Sequence, residues 1–131
     1  IFSASGEILL VRRVDNDKWA LPGGKIEIDE SISDTVERES KEETGLTVVV
    51  TSLVGIYSDP RRVIEYSDGE VRREFFVLCH CKVKEGELHH DHESSEISFF
   101  SKDEALKLSL SPSQAQRITD AFQIQDGGIV R

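Results

Sequence analysis

Glu39, Glu42 and Glu43 stand together in the run Arg38-Glu39-Ser40-Lys41-Glu42-Glu43. On a helix they fall at i, i+3 and i+4 and crowd one face. Like-charged pairs at that spacing destabilise a helix surface by roughly 0.2–0.5 kcal/mol each. Three together therefore call for full solvation, the ordinary state of a glutamate-rich face, or for a cation. Hard oxygen donors of this kind suit Mg²⁺ or Mn²⁺, which keep several waters and share their coordination with substrate phosphates. The charge of the whole chain bears on the choice. With 25 acidic against 16 basic residues, its net charge is −9. Nucleic acid backbones are held by basic surfaces, so they are excluded as the main partner. An acidic chain that handles phosphates needs a cation as intermediary.

The wider spacing favours the cation. Gly24 is followed after five residues by Glu30, and after seven more by Arg38-Glu39, with Glu42-Glu43 and Gly45 behind. In these seven positions the chain resembles the Nudix hydrolases. Leu21-Pro22-Gly23-Gly24-Lys25-Ile26-Glu27 resembles that family's approach to its signature box, and Glu93 to Phe100 resembles the strand that returns to the active site. Ser40 stands where the family has an aliphatic residue, and Asp29 where glycine is commoner. Ser40 follows Ile32 and Val36 at i+4 steps and should face the core, so it reads as a packing adjustment.

The resemblance implies an α/β/α sandwich with a mixed sheet flanked by helices. It implies Mg²⁺-dependent hydrolysis, with Mn²⁺ able to substitute, of a diphosphate bond in a nucleoside diphosphate linked to another moiety. An ADP-ribose-like substrate is favoured and nucleoside triphosphates come next, the preference resting on Pro60 about fifteen residues past the box. By the same resemblance Glu39 and Glu43 are the main metal ligands and Glu42 shares a metal. Arg38 anchors the acids and pairs with Glu30, and Gly23 and Gly24 shape the loop that lets phosphate approach. Of the acids outside the box Glu96 aligns best as a further ligand, with Glu93 the second choice as ligand or general base. The competing reading is a non-catalytic module that senses a nucleotide.

The elements that must position these residues are legible from pattern. Gly6 to Val11 reads as a strand with Ile1-Phe2 as its hairpin partner, and Trp19-Ala20-Leu21 runs into the breaker Pro22-Gly23-Gly24. Ser31 to Thr44 reads as a helix, with Ser31 and Asp34 forming a capping box and Gly45 at the C-terminal cap. Thr47 to Tyr57 is β-branched and apolar. Val63 to Tyr66 and Val71 to Val83 read as a hairpin around Asp68-Gly69. Glu96 to Phe100 is a short strand, Lys102 to Leu108 a short helix, and Ser111-Pro112 opens a helix ending near Gln125. This order implies an α+β sandwich in one domain over residues 1–131.

Other residues carry weaker signals. Arg61-Arg62, in the loop after Asp59-Pro60, is the arginine pair best placed for substrate contacts, because specificity tends to lie in loops. His89-His90-Asp91-His92-Glu93 lacks the wider spacing of zinc sites and reads as a polar loop. Cys79 and Cys81 would share one strand face, out of reach of each other, as free thiols of a reducing cytoplasm. Trp19 reads as core. No apolar stretch approaches the roughly 20 residues of a membrane helix. The chain opens on Ile1, as expected where residues are missing upstream. A small nucleotide is the expected partner, and a homodimer is compatible with the sequence.

Overall fold

The computed structural model describes residues 1–131. Strand β1 (Ile8–Arg13) is central to one three-stranded sheet, between β2 (Trp19–Ala20) and β7 (Ser94–Phe100), antiparallel to both. Its sequence is a continuous apolar run because both of its faces are covered. Ile8 and Leu10 pack with Trp19, Ala105, Ile118 and Ala121, under helices α2 (Lys102–Leu106) and α3 (Pro112–Gln123). Leu9 points the other way, into a cluster with Leu46, Val48 and Cys81.

That second cluster joins the two sheets. Beside Leu9 of β1, its residues belong to β3 (Leu46–Tyr57) and β6 (Phe76–Gly86), which pair antiparallel, and β8 (Ile129–Val130) adds to β3 in parallel. Val36, from helix α1 (Ile32–Thr44), packs on the same cluster. The result is the expected α+β sandwich of mixed sheets flanked by helices.

Helix α1 starts and stops where its local chemistry directs. The Ser31 hydroxyl accepts the Asp34 N–H, and the Asp34 carboxylate accepts the Ser31 N–H. Gly45 ends the helix at φ +77°, a conformation that favours glycine. Ser40 is buried, as its spacing requires.

The expected strand from Val71 to Val83 is two strands. β5 (Val71–Arg73) pairs with β4 (Val63–Glu65) around Asp68-Gly69, the chain leaves the ladder at Glu74-Phe75, and β6 then joins β3. The break lets one segment change sheet partners, which local periodicity does not encode. The helices expected to reach Leu108 and Gln125 end at Leu106 and Gln123, and β8 had no counterpart in the pattern. Trp19 is buried edge-on against Phe100, and both cysteines are free thiols, as expected.

Candidate active site

The C-terminal half of α1 presents its acids to the loop after β2. Arg38 organises them. Its Nε and one terminal nitrogen grip the Glu30 carboxylate, and its other terminal nitrogen reaches Glu39 at 2.9 Å and Glu42 at 3.3 Å. It also donates to the Lys25 carbonyl at 3.1 Å, which ties the loop to the helix. The Arg38 guanidinium, with help from the Thr35 hydroxyl, holds the Glu30 carboxyl down at about 2.

Gly24 is glycine because Glu39 occupies the space beside it: a Cβ there would lie 2.1 Å from Glu39 Oε1. Gly23 donates its backbone N–H to Glu43 Oε2 at 2.7 Å. Glu43 is only 7% exposed and forms no ion pair with any cation. Burial pushes its carboxyl up to about 7; the Gly23 N–H opposes this, and Glu39, Asp91 and Glu93 add to it. Glu42 is more than half exposed.

No three His, Cys, Asp or Glu side chains converge into a ready-made cation cage. The donors nonetheless fit a hard divalent cation. All are carboxylate oxygens, Arg38 offsets only part of their charge, and the glycine loop beside Glu39 and Glu43 has no side chains to bar a phosphate. Mg²⁺ is commonly held by one or two carboxylates, with waters and phosphate completing its shell.

The structure separates the two acids from outside the box. Glu96 lies across from Arg12 in the β1–β7 register and bonds it at 3.1 Å. Arg12 continues the face of β1 that carries Ile8 and Leu10 under α2 and α3, away from α1. Glu93, ahead of β7, instead acts electrostatically on Glu43 and on Arg13. Its carbonyl accepts the Val14 N–H at 3.0 Å and its own N–H bonds Asp91 Oδ1 at 3.0 Å. The expected order, Glu96 before Glu93, is thus reversed in placement. Asp91, from the histidine-rich loop, and Arg13, at the end of β1, join the neighbourhood. The histidine-rich loop docks through its backbone, His89 N–H to the Thr44 carbonyl at 3.0 Å, and gathers no metal-type cluster.

Arg61 and Arg62 line a cleft of about 440 Å³ with Tyr57, Phe76, Arg117 and Arg131. Arg61 is largely exposed and doubly bonded to Asp59, at 2.9 and 3.0 Å. The Tyr57 hydroxyl is turned into the protein, onto Asp120 at 2.8 Å. Sequence spacing announced neither Arg117 nor Arg131, which reach the cleft from the far end of the chain.

With this geometry in view, the likenesses to known proteins are specific. Residues 1–122 match the model of the NUDIX domain. A MutT-like protein of Streptomyces ambofaciens is 34% identical over 117 residues, covering 89% of this chain and 69% of the relative. An ADP-ribose pyrophosphatase of Methanocaldococcus jannaschii is 39% identical over 111 residues, covering 82% of this chain and 62% of the relative. The chain thus spans about two thirds of the length of these relatives. Among solved structures, an ADP-ribose pyrophosphatase from Streptococcus suis superposes with a TM-score of 0.66 at 29% identity, covering 99% of this chain and 92% of that one. No helix is long and apolar enough to cross a membrane.

Proposed function

Because this chain belongs to the Nudix family, we propose that it hydrolyses a diphosphate bond in a nucleoside diphosphate joined to a second moiety, with Mg²⁺ as cofactor. ADP-ribose-like compounds lead among substrates and nucleoside triphosphates follow. Two relatives named as ADP-ribose pyrophosphatases support that order. The observation that carries the reading is the buried, uncompensated Glu43 beside Glu39, against a glycine loop open to phosphate.

Glu39 and Glu43, with Glu42 at the exposed edge, would hold the cation. A divalent ion bound there supplies neutralisation of phosphoryl charge and a lowered pKa for water. The chain's own groups do the rest. Arg38 keeps Glu39 and Glu42 in place, and the Gly23-Gly24 backbone admits the diphosphate. Glu93 accepts the proton of the attacking water as its oxygen bonds phosphorus and the bridging P–O bond breaks. We place the enzyme in the cytoplasm.

A nucleotide panel with phosphate release coupled to a phosphatase, run with Mg²⁺, with Mn²⁺ and with EDTA, tests the proposal. Turnover of a diphosphate-linked nucleoside that needs the cation is the expected result. Binding without turnover across the panel would refute it in favour of a nucleotide-sensing module.

A further inference from the structure

Thr35 is a polar residue buried in the first half of α1, one turn ahead of Glu39. A hydroxyl taken out of water is unfavourable unless it is hydrogen-bonded. The start of the helix does not need this one, since Ser31 and Asp34 already close the capping box. The Thr35 hydroxyl lies 2.7 Å from Glu30 Oε2 and 3.1 Å from the Ser31 carbonyl. It has one proton to give, and the shorter contact, to a charged acceptor, is the stronger.

The contacts of Glu30 show what that bond controls. Its Oε2 accepts from Thr35, from a terminal nitrogen of Arg38 at 3.0 Å and from the Glu27 N–H at 3.1 Å. Its Oε1 takes the Arg38 Nε. Arg38 reaches Glu30 on a long, flexible side chain, and Glu27 belongs to the loop. The Thr35 hydroxyl is one stiff torsion from the backbone of α1, in a buried side chain. It therefore ties the carboxylate to the frame of the helix. With two of its nitrogens held by Glu30, the Arg38 guanidinium is left with its third aimed at Glu39 and Glu42. The Glu39 carboxylate takes its one hydrogen bond from that nitrogen.

We propose that Thr35 is a positioning residue for Glu39: its hydroxyl fixes the Glu30 carboxylate, and through it the Arg38 fork that sets Glu39 for a divalent cation. This role rests on the reading of Glu39 and Glu43 as cation ligands. Thr35 touches neither ligand and acts only through the ion pair. Partners that orient a ligand without touching the ion are worth about ten- to a hundredfold in metal affinity or activity. Thr35 stands further out than Arg38, so the lower figure applies. Glu30 Oε2 keeps its donors from Arg38 and Glu27 when the hydroxyl is removed, so the fold itself is not at stake.

Titration of the intact protein with Mn²⁺, with the free ion followed by electron paramagnetic resonance, measures the effect without any turnover. Thr35→Val keeps the branched shape and removes the hydroxyl, whereas Thr35→Ser keeps the hydroxyl. Thr35→Val should raise the Mn²⁺ dissociation constant about tenfold, with its circular dichroism in EDTA unchanged. Thr35→Ser should restore the affinity. In EDTA, the Arg38 Nε–H nuclear magnetic resonance signal, identified by its loss in Arg38→Lys, should shift in Thr35→Val and return in Thr35→Ser. Should Thr35→Val fail to fold, Thr35→Ala, which places a stronger helix former there, decides in its stead. Affinity unmoved by loss of the hydroxyl, or a loss that serine does not repair, would overturn the role of Thr35 and leave the cation site standing. No saturable Mn²⁺ binding by the unaltered protein would overturn both, and binding without turnover of any nucleotide would overturn hydrolysis alone.

Discussion

Glu43 faces two opposing demands: burial favours its neutral form, and a role as metal ligand requires its charge. Its folded carboxyl is pushed up to about 7 from an ordinary 4.5. A carboxyl raised on folding contributes stability below its unfolded pKa, and that stability is lost as pH rises through the folded value. In EDTA the protein should therefore lose up to about 3 kcal/mol between pH 4.5 and 8. Thermal melts across that range should show the decline, and Glu43→Gln should flatten it; equal slopes in both proteins would refute the assignment. With Mg²⁺, Glu43→Gln should cut kcat about a hundredfold, since a neutral amide replaces a charged ligand. Glu93→Gln should lower kcat more than Glu96→Gln, which mainly releases Arg12. Steady-state rates with the best substrate rank the two, and a larger loss at Glu96 would return the extra acid to β7.

At the scale of elements, the start of α1 and the loop that faces its end can be perturbed separately. Ser31→Ala removes the cap and should cost about 1 kcal/mol, a fall in Tm of about 4 °C, with kcat unchanged. Gly24→Ala works the other way. Its Cβ meets only the flexible end of Glu39, so Tm should hold while Glu39 is driven from its place and activity falls tenfold or more, on the order seen when supporting contacts of metal ligands are lost. A Gly24→Ala protein with full activity would show that Glu39 works from another position.

For the whole molecule, a cation that binds the folded chain and not the unfolded one stabilises by mass action. The gain is about 2.7 kcal/mol at a hundred times its dissociation constant, several degrees in Tm for a domain of this size. Mn²⁺ at millimolar concentration should produce that rise, and Glu43→Gln should blunt it. Mn²⁺ is the better probe, because Mg²⁺ binds weakly until substrate phosphates complete its shell. A melting curve unmoved by 10 mM Mn²⁺, with and without a nucleoside diphosphate, would argue strongly against a metal site.

The sequence by itself determined what is local. The i, i+3, i+4 spacing of Glu39, Glu42 and Glu43 places them on one helix face wherever that helix lies, and Ser31, Asp34 and Gly45 set its ends through contacts within a few residues. The pairing of Arg38 with Glu30 was legible only through the family resemblance. Tertiary structure decided the rest. Whether Glu93 or Glu96 approaches Glu43 depends on which face of β7 turns toward α1, and that follows from the register with β1. The split of Val71 to Val83 into β5 and β6 depends on two different partner strands. The arginine cleft draws on residues 57–62, 74–76, 113–117 and 130–131, segments with no common spacing for a pattern to reveal. Arg117 becomes a buried cation only when α3 packs beside Phe76, and no feature of its own neighbourhood in the chain foretells that burial.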